Sequence, residues 1–266
     1  MEKNKRKQTE TSDFMPFGEH LEVLRQMLFR IIGLTAVLSG GAFCLNAFVF
    51  KILLAPDSSD FCLYQFVEKV LHFLGNDFRF EQFHIDLIAT ELGSLFMLHI
   101  KTSCAIGLMG ASPYILYELL KFISPGLNEN EKKYSIPLVS AVYVLFMIGA
   151  LMSYFVIFPI AVKFLGTYSL GVKINSLITV DSYIDTFFML TFMMGVVFQF
   201  PIVAFILAKL KLINYQMLAS YRKLSFLIIM IISAIITPPD IFTLLLVTIP
   251  LYLLYEISAL VVKHID

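Results

Sequence analysis

Six long apolar runs alternate with polar segments along the chain. They lie at about 28–50, 95–120, 136–162, 183–208, 224–237 and 241–262. A helix crosses the hydrocarbon core of a bilayer with about 20 apolar residues. The run 224–237 has only 14 residues, or about 21 Å at about 1.5 Å per residue, which is less than the core thickness of about 30 Å. The pattern predicts an all-α polytopic membrane protein with six transmembrane helices, in which the adjoining fifth and sixth spans are short, the fifth most clearly.

The polar segments predict how the chain is organised around these runs. Leu21, Leu24 and Leu28 share one helical face, which is typical of an amphipathic helix at a membrane interface. Amphipathic segments at 61–74 and 83–88 predict short helices that cap the bundle outside the membrane. We predict three parts: a tail with an interfacial helix at 1–27, a single membrane domain at 28–262 and a second tail at 263–266.

Basic residues are distributed unevenly between the two sides of the predicted membrane domain. With six spans both termini lie on one side, which carries 14 Lys and Arg residues against 6 on the other. An excess of Lys and Arg marks the cytoplasmic side. We therefore expect a multi-pass protein of the cytoplasmic (inner) membrane with both termini in the cytoplasm. The formal net charge of zero gives no sign of nucleic-acid binding.

The composition supports the membrane assignment and limits the chemistry. Hydrophobic residues make up 58% of the chain and charged residues 15%, whereas soluble domains are about one quarter charged. The three cysteines and five histidines are scattered without the spacing of metal ligands. Neither a phosphate-binding G-x-x-x-x-G-K-[ST] pattern nor an H-E-x-x-H pattern occurs. We expect no metal, no cofactor and no enzymatic activity.

A polar hairpin at 122–134 joins the second and third predicted spans and reads F-I-S-P-G-L-N-E-N-E-K-K-Y. Pro125 and Gly126 stop a helix and begin a turn. Glu131 stands three residues after Asn128, which is the spacing of a capping box. The two lysines that follow are typical of the cytoplasmic side. The hairpin is therefore expected to present its carboxylates to the cytoplasm.

Several short pieces of the chain form an ordered set with this hairpin. They are H-L-E-V-L-R at 20–25, Ala55-Pro56, the hairpin residues Phe122, Pro125 and Glu131, F-Q-F-P at 198–201, T-P-P-D at 237–240, Pro250 and Glu256. Each piece alone is weak. Their order and spacing, over roughly 14–257, resemble the TatC family of twin-arginine protein translocase subunits.

The resemblance implies a concave helical bundle that serves as the receptor core of the twin-arginine translocase. It implies binding of twin-arginine signal peptides on folded precursor proteins, and export driven by the protonmotive force. The implied partners are single-span subunits of the TatA and TatB type, the lipid bilayer and further copies of the chain. It implies no nucleotide and no catalysis.

The hairpin matches the part of the family that receives the arginine pair of the signal peptide. Glu131 corresponds to the family acid, and Phe122 and Pro125 correspond to its neighbours in the motif. A guanidinium binds a carboxylate through two parallel hydrogen bonds, which a lysine cannot reproduce. Judged from the residues alone, Glu131 is a capping-box acid, and the resemblance adds the binding role.

The N-terminal piece departs from the family by one position. The family acid falls where this chain has Val23, and the acid here is Glu22; a shift of one residue rotates a side chain by about 100° around a helix. Glu22 is either the second carboxylate of the arginine-binding pocket or part of the solvent-facing side of the interfacial helix. For Glu19 the solvent-facing position is the simpler interpretation. Arg25 orients the pocket or faces lipid headgroups. The second arginine of the family pattern is Met27 here.

Four more residues are candidates for a contact to a partner helix or for a structural role. Gln199 either bonds to a neighbouring helix or contacts a partner helix. Asp240 is placed to cap the sixth span, with Thr237 in the same turn. Pro56 matches the family proline after the first span.

Two other classes of function compete with this interpretation. A secondary transporter for a small solute would show repeats and charged groups near the membrane midplane, whereas the acids of this chain cluster at the ends of spans. An intramembrane enzyme would need a set of catalytic residues at one depth in the membrane, and the sequence shows no such set.

Glu256 is a further candidate, late in the sixth predicted span. By position it is either an intramembrane acid, and therefore a functional candidate, or an acid whose side chain reaches the membrane interface.

Overall fold

The computed structural model describes residues 17–73, 83, 85–123, 135–168 and 177–265. Within those ranges the chain is almost wholly helical. The helices are α1 Phe17–Cys44, α2 Asn46–Leu54, α3 Cys62–Phe73, α4 Ser94–Ile123, α5 Ser135–Met152, α6 Phe158–Thr167, α7 Val180–Val197, α8 Phe200–Lys209, α9 Tyr215–Ser220, α10 Arg222–Ile236 and α11 Ile241–Lys263, and the strands are β1 Leu87–Ile88 and β2 Ile178–Thr179.

Five stretches of helix are long and apolar enough to cross a membrane. They are Leu21–Cys44, Ser94–Leu119, Ser140–Thr167, Val180–Lys209 and Ile241–Lys263. Helix α10 has 15 residues, about 22 Å, so the prediction of a short fifth span is confirmed. The prediction of a short sixth span is wrong, because α11 has 23 residues and continues through Pro250. The described chain thus contains five long spans and one short one.

Helices α1 and α4 pack as a close antiparallel pair. Residues later in α1 contact residues earlier in α4. The contacts pair Arg30 with Glu118, Leu38 with Gly110, Ser39 with Gly107, and Phe43 with His99. The closest approach is at Gly107, where an added Cβ atom would overlap the Ser39 side chain and lie 2.7 Å from the Ser39 backbone nitrogen. Small residues let helix backbones approach in this way inside membranes.

The structure corrects the C-terminal end of the first predicted span. Helix α1 includes the segment predicted as interfacial and runs without a break from Phe17 into the span. The span then ends early, at Cys44, and α2 begins at Asn46. The Asn46 Oδ1 atom accepts a hydrogen bond from the Ala47 N–H at 2.5 Å, which withdraws that N–H from the helical ladder.

Helices α5 and α7 lock together through two glycines. A Cβ at Gly149 would lie 2.6 Å from the Met194 carbonyl oxygen, and one at Gly195 would lie 2.6 Å from the Phe146 ring. Their neighbours Leu190 and Met194 are fully buried. These contacts place α7 at the centre of the largest apolar cluster, which also includes residues of α6, α10 and α11.

A cap of short elements covers the end of the bundle where α1 and α2 meet. Pro56 is fully buried in a 3₁₀ turn after α2. The Tyr64 hydroxyl of α3 donates a hydrogen bond to the Pro159 carbonyl at 2.7 Å, and the Tyr183 hydroxyl donates to the Leu53 carbonyl at 3.0 Å. Burial raises the pKa of Tyr64 well above its usual range, so this phenol remains a donor at any physiological pH.

One of the two predicted cap helices is confirmed and the other is wrong. Helix α3 matches the segment predicted at 61–74. The segment predicted as helical at 83–88 instead ends in strand β1, which pairs in parallel with β2. The pairing joins Leu87 to Ile178 and Ile88 to Thr179, so a distant partner decides the conformation of this short apolar piece.

Candidate functional site

The N-terminal turns of α1 carry an exposed acid with two donors around it. The Arg25 Nη2 atom lies 2.7 Å from the Glu22 Oε1 atom, and the Gln26 amide donates to the same oxygen at 3.1 Å. The Arg25 and Glu22 side chains are 66% and 46% exposed. An exposed ion pair of this kind is worth at most about 1 kcal/mol. A stronger ligand can therefore compete with Arg25 for the Glu22 carboxylate.

Farther along α1, a buried acid of α4 holds the two helices together. The Arg30 Nη1 atom lies 3.2 Å from the Glu118 Oε1 atom, and the Tyr114 hydroxyl donates to the same oxygen at 2.7 Å. The Glu118 side chain is only 5% exposed, whereas that of Arg30 is 46% exposed. The sequence does not single out this cluster, since Arg30 and Glu118 are 88 positions apart.

The remaining predicted site residues of this region lie at or beyond the limits of the described chain. Glu131 and Pro125 fall outside the described residues. Glu19 lies in α1 and Phe122 in α4, but their side chains are also outside the description. The structure therefore places Glu22 and Arg25 together, and gives the helices that contain Glu19 and Phe122.

Gln199 sits at the break between α7 and α8. Pro201, two residues later, lacks an N–H and so cannot donate to the carbonyl of Val197, where α7 ends. The Gln199 amide donates to the Gly195 carbonyl of α7 at 3.2 Å. Its Oε1 atom is buried and has no hydrogen-bond partner among the described residues.

The turn between α10 and α11 shows what Thr237 and Asp240 do locally. The Asp240 Oδ1 atom accepts a hydrogen bond from the Thr243 N–H at 2.6 Å, so Asp240 caps α11 as its position in the sequence predicts. The Thr237 hydroxyl donates to the Ser233 carbonyl at 2.9 Å. Three other buried oxygens here have no partner within the described ranges: Ser233 Oγ, Asp240 Oδ2 and Thr243 Oγ1.

Glu256 is tied to the other end of α10. Its carboxylate binds the Arg222 guanidinium through two contacts of 2.9 Å and accepts a hydrogen bond from the Tyr252 hydroxyl at 3.2 Å. This fork-shaped pairing is the strong geometry for arginine and a carboxylate. Glu256 thus fastens the short helix α10 to α11.

The comparisons with known proteins agree on one family. Residues 19–250 match the model of the family described as Sec-independent protein translocase protein (TatC). This chain belongs to the TatC family. It is 41% identical over 249 residues to the TatC protein of Aquifex aeolicus and 34% identical over 251 residues to that of a Blattabacterium from Periplaneta americana. Each alignment covers 92% of this chain and 93% of the relative.

Solved structures give the same result. A crystal structure described as the twin-arginine translocase receptor TatC matches with a TM-score of 0.71 and 36% identity, covering 92% of this chain and 99% of the other. A second, in the detergent DDM, matches with a TM-score of 0.72 and 37% identity. The chain is a multi-pass membrane component of a Sec-independent protein translocase, and its role is in protein transport.

The departures from the TatC pattern can now be located on α1. Val23, at the position of the family acid, is 39% exposed. Met27, at the position of the second family arginine, is 4% exposed. The next arginine along α1 is Arg30, which pairs with Glu118.

Proposed function

We propose that this TatC protein is the receptor core of a twin-arginine translocase, which binds the signal peptides of folded precursors at its cytoplasmic face. In this proposal both termini lie in the cytoplasm of the inner membrane. TatA- and TatB-type single-span subunits assemble around the bundle, and the protonmotive force drives export. Family membership supports the translocase role, and the arrangement of α1 and α4 supports the position of the receptor site.

The antiparallel register of α1 and α4 is the observation that carries the site. Arg30 and Glu118 lie opposite each other. Glu22 precedes Arg30 by eight residues, and α4 ends at Ile123, five residues after Glu118. Glu22 therefore lies within about one helical turn of the level at which α4 ends. Glu22 and Glu131 are in this way assigned to one region of the cytoplasmic face.

Two carboxylates at one level suit a pair of arginines. In the proposed pocket Glu131 receives one guanidinium and Glu22 the other, while Phe122 and Pro125 shape the hairpin. Arg25 holds the Glu22 carboxylate before the ligand arrives, through the 2.7 Å contact. Glu19, one turn before Glu22, remains the alternative acid of this helix. Selection of Arg-Arg over Lys-Lys follows from the planar fork of the guanidinium.

The short helix α10 and the polar atoms near it suit a partner helix. A span of about 22 Å leaves part of a core of about 30 Å without its own helix, which thins the bilayer or recesses the helix. A polar side chain from a partner could bond to the Gln199 Oε1 atom, which has no partner among the described residues. We assign this side of the bundle to the single-span subunits.

The function is tested by export of a folded reporter that carries a twin-arginine signal. The gene for this chain, with its own partner subunits, is expressed in a strain that lacks its TatC. We expect export of the Arg-Arg reporter, little export of the matched Lys-Lys reporter, and loss of export when the membrane potential is collapsed. Equal export of both reporters would contradict the proposal.

Glu22 is predicted to have taken over the role of the displaced family acid. Glu22→Ala should reduce crosslinking of the signal peptide to the receptor by about tenfold, the effect of one charge-assisted bond. Adding Val23→Glu to that variant should restore part of it, because this side chain lies about 100° away on the same turn. Normal crosslinking in Glu22→Ala together with loss in Glu19→Ala would assign the role to Glu19.

The proposed orientation predicts which engineered cysteines are labelled from outside the cell. The three natural cysteines, Cys44, Cys62 and Cys104, are exposed and are first replaced by serine. A cysteine at Phe73, 89% exposed in the cap, should react with an impermeant maleimide in intact cells. The matched control is a cysteine at Leu212, 64% exposed after α8, which should react only after permeabilisation. The reverse pattern would place the termini outside.

A further inference from the structure

The cluster of Arg30, Tyr114 and Glu118 is built differently from the rest of the α1–α4 interface. Elsewhere the two helices meet through small or apolar groups, as at Ser39 and Gly107, and through the exposed His99 ring, which stacks on Phe43 and has its Nε2 atom 3.1 Å from the Phe43 carbonyl oxygen. Here a nearly buried carboxylate accepts a guanidinium from the other helix at 3.2 Å and a phenol from its own helix at 2.7 Å.

A buried carboxylate is stable as an anion only while its partners remain in place. Burying a charge without a partner is costly, and removing one member of a buried pair is more damaging than replacing both. The Glu118 anion therefore favours one alignment of α1 against α4, the alignment that keeps Arg30 within reach. Setting the register of two helices is the best-attested use of a buried polar group.

The part of α1 before Arg30 has few other anchors. The side chains of Leu21, Glu22, Val23, Arg25, Gln26, Leu28 and Phe29 are exposed, and only Met27 is buried among those described between 21 and 29. Glu22 lies eight residues from Arg30, or about 12 Å along the axis. A tilt of about 10° at Arg30 would move Glu22 by about 2 Å, and misplacement by about 1 Å is enough to weaken an aligned contact strongly.

We infer that Arg30, Tyr114 and Glu118 are positioning residues for the receptor site, which fix the spacing between Glu22 and the C-terminal end of α4. They set the geometry of the pocket without touching the ligand. This inference rests on the proposed signal-peptide function for its consequence, but the spacing itself is a property of the free protein and is measured separately.

The test combines a distance with an affinity in the full-length protein, in detergent and without natural cysteines. Spin labels at Leu21 and Leu119, both exposed, report the distance from the N-terminal turns of α1 to α4. Binding of an Arg-Arg signal peptide is measured on the same variants. The variants are Glu118→Gln, Tyr114→Phe, and the charge reversal Arg30→Glu with Glu118→Arg.

We expect Glu118→Gln to broaden the distance distribution and to weaken peptide binding by about tenfold. Tyr114→Phe, which removes one hydrogen bond, should have a smaller effect in the same direction. The charge reversal should narrow the distribution again and recover most of the binding. The matched control is Asp185→Asn, which breaks the ion pair of Lys101 in α4 with α7 and should change neither readout.

Three results would overturn the inference, and each is distinct from a failure of the proposed function. Unchanged distances in Glu118→Gln would show that the cluster does not hold α1. A reversed pair with a wild-type distance but no binding would make Glu118 itself a ligand for the arginines. A changed distance with unchanged binding would show that the cluster does not set the geometry of the pocket. If the wild type binds no signal peptide, the proposed function fails, while the distances still decide whether the cluster positions α1.

Discussion

Replacing Glu131 by glutamine is expected to abolish the preference of the receptor for Arg-Arg over Lys-Lys signal peptides. Glutamine keeps the size and the helix-capping ability of the side chain but removes the charge that a guanidinium fork requires. A charge-assisted hydrogen bond contributes about 1.5–3 kcal/mol, which corresponds to about a 10- to 150-fold loss of affinity for Arg-Arg. Binding of the two peptides to purified protein at fixed salt measures the effect.

The neighbouring lysine provides the matched control for this substitution. Lys132→Ala should change the affinity much less, because the proposed contact is to the Glu131 carboxylate and a lysine offers no acceptor to a guanidinium. Both variants should keep the helical content of the wild type. If Glu131→Gln retains the full preference for Arg-Arg, Glu131 is only a helix cap and the pocket is elsewhere.

Gly107→Val is expected to disrupt the α1–α4 pair and, with it, the receptor site. The Cβ atom alone would overlap the Ser39 side chain and lie 2.9 Å from the Ser39 Cα atom, so the backbones of the two helices must separate. Overpacking of this kind costs about 1–3 kcal/mol. We expect the thermal unfolding midpoint in detergent to fall by about 2–10 °C and binding of the signal peptide to be lost, because Arg30 is drawn away from Glu118.

Gly110→Ala is the control for the packing prediction. A Cβ at Gly110 would lie 3.5 Å from the Leu38 Cδ1 atom, which is an ordinary contact. Alanine also favours a helix over glycine by about 1 kcal/mol. Gly110→Ala should therefore unfold at the wild-type temperature or slightly above it. A Gly107→Val protein that is as stable as this control would show that α1 and α4 are not held at close approach.

The sequence was sufficient for the helices that are set by local composition. Runs of about 20 apolar residues predict helices long enough to cross the hydrocarbon core. Pro201 predicts the break after α7. The break at Leu45 could not be seen, because neither glycine nor proline stands there. At this break the Asn46 side chain accepts a hydrogen bond from the Ala47 N–H. Strand β1 was also missed, since its partner lies about 90 residues away.

The residues of the candidate site also differ in whether the sequence alone could reveal their partners. Asp240 could be recognised as a cap because its partner, Thr243, is three residues away. Arg30 is one of several basic residues near the N-terminus, and Glu118 is a lone acid late in an apolar run. Only the packing of α1 on α4 makes them a pair. The role of Glu256 likewise depends on its partner Arg222, which is 34 residues earlier.

Binding of twin-arginine signal peptides to the wild-type protein tests the proposed receptor role most directly. The purified receptor, in detergent at fixed salt, is titrated with an Arg-Arg peptide and with its Lys-Lys counterpart. We expect the wild type to bind the Arg-Arg peptide more tightly by about tenfold or more. The double variant Glu22→Ala with Glu131→Gln should lose this preference. Equal binding of the two peptides by the wild type would contradict the receptor role.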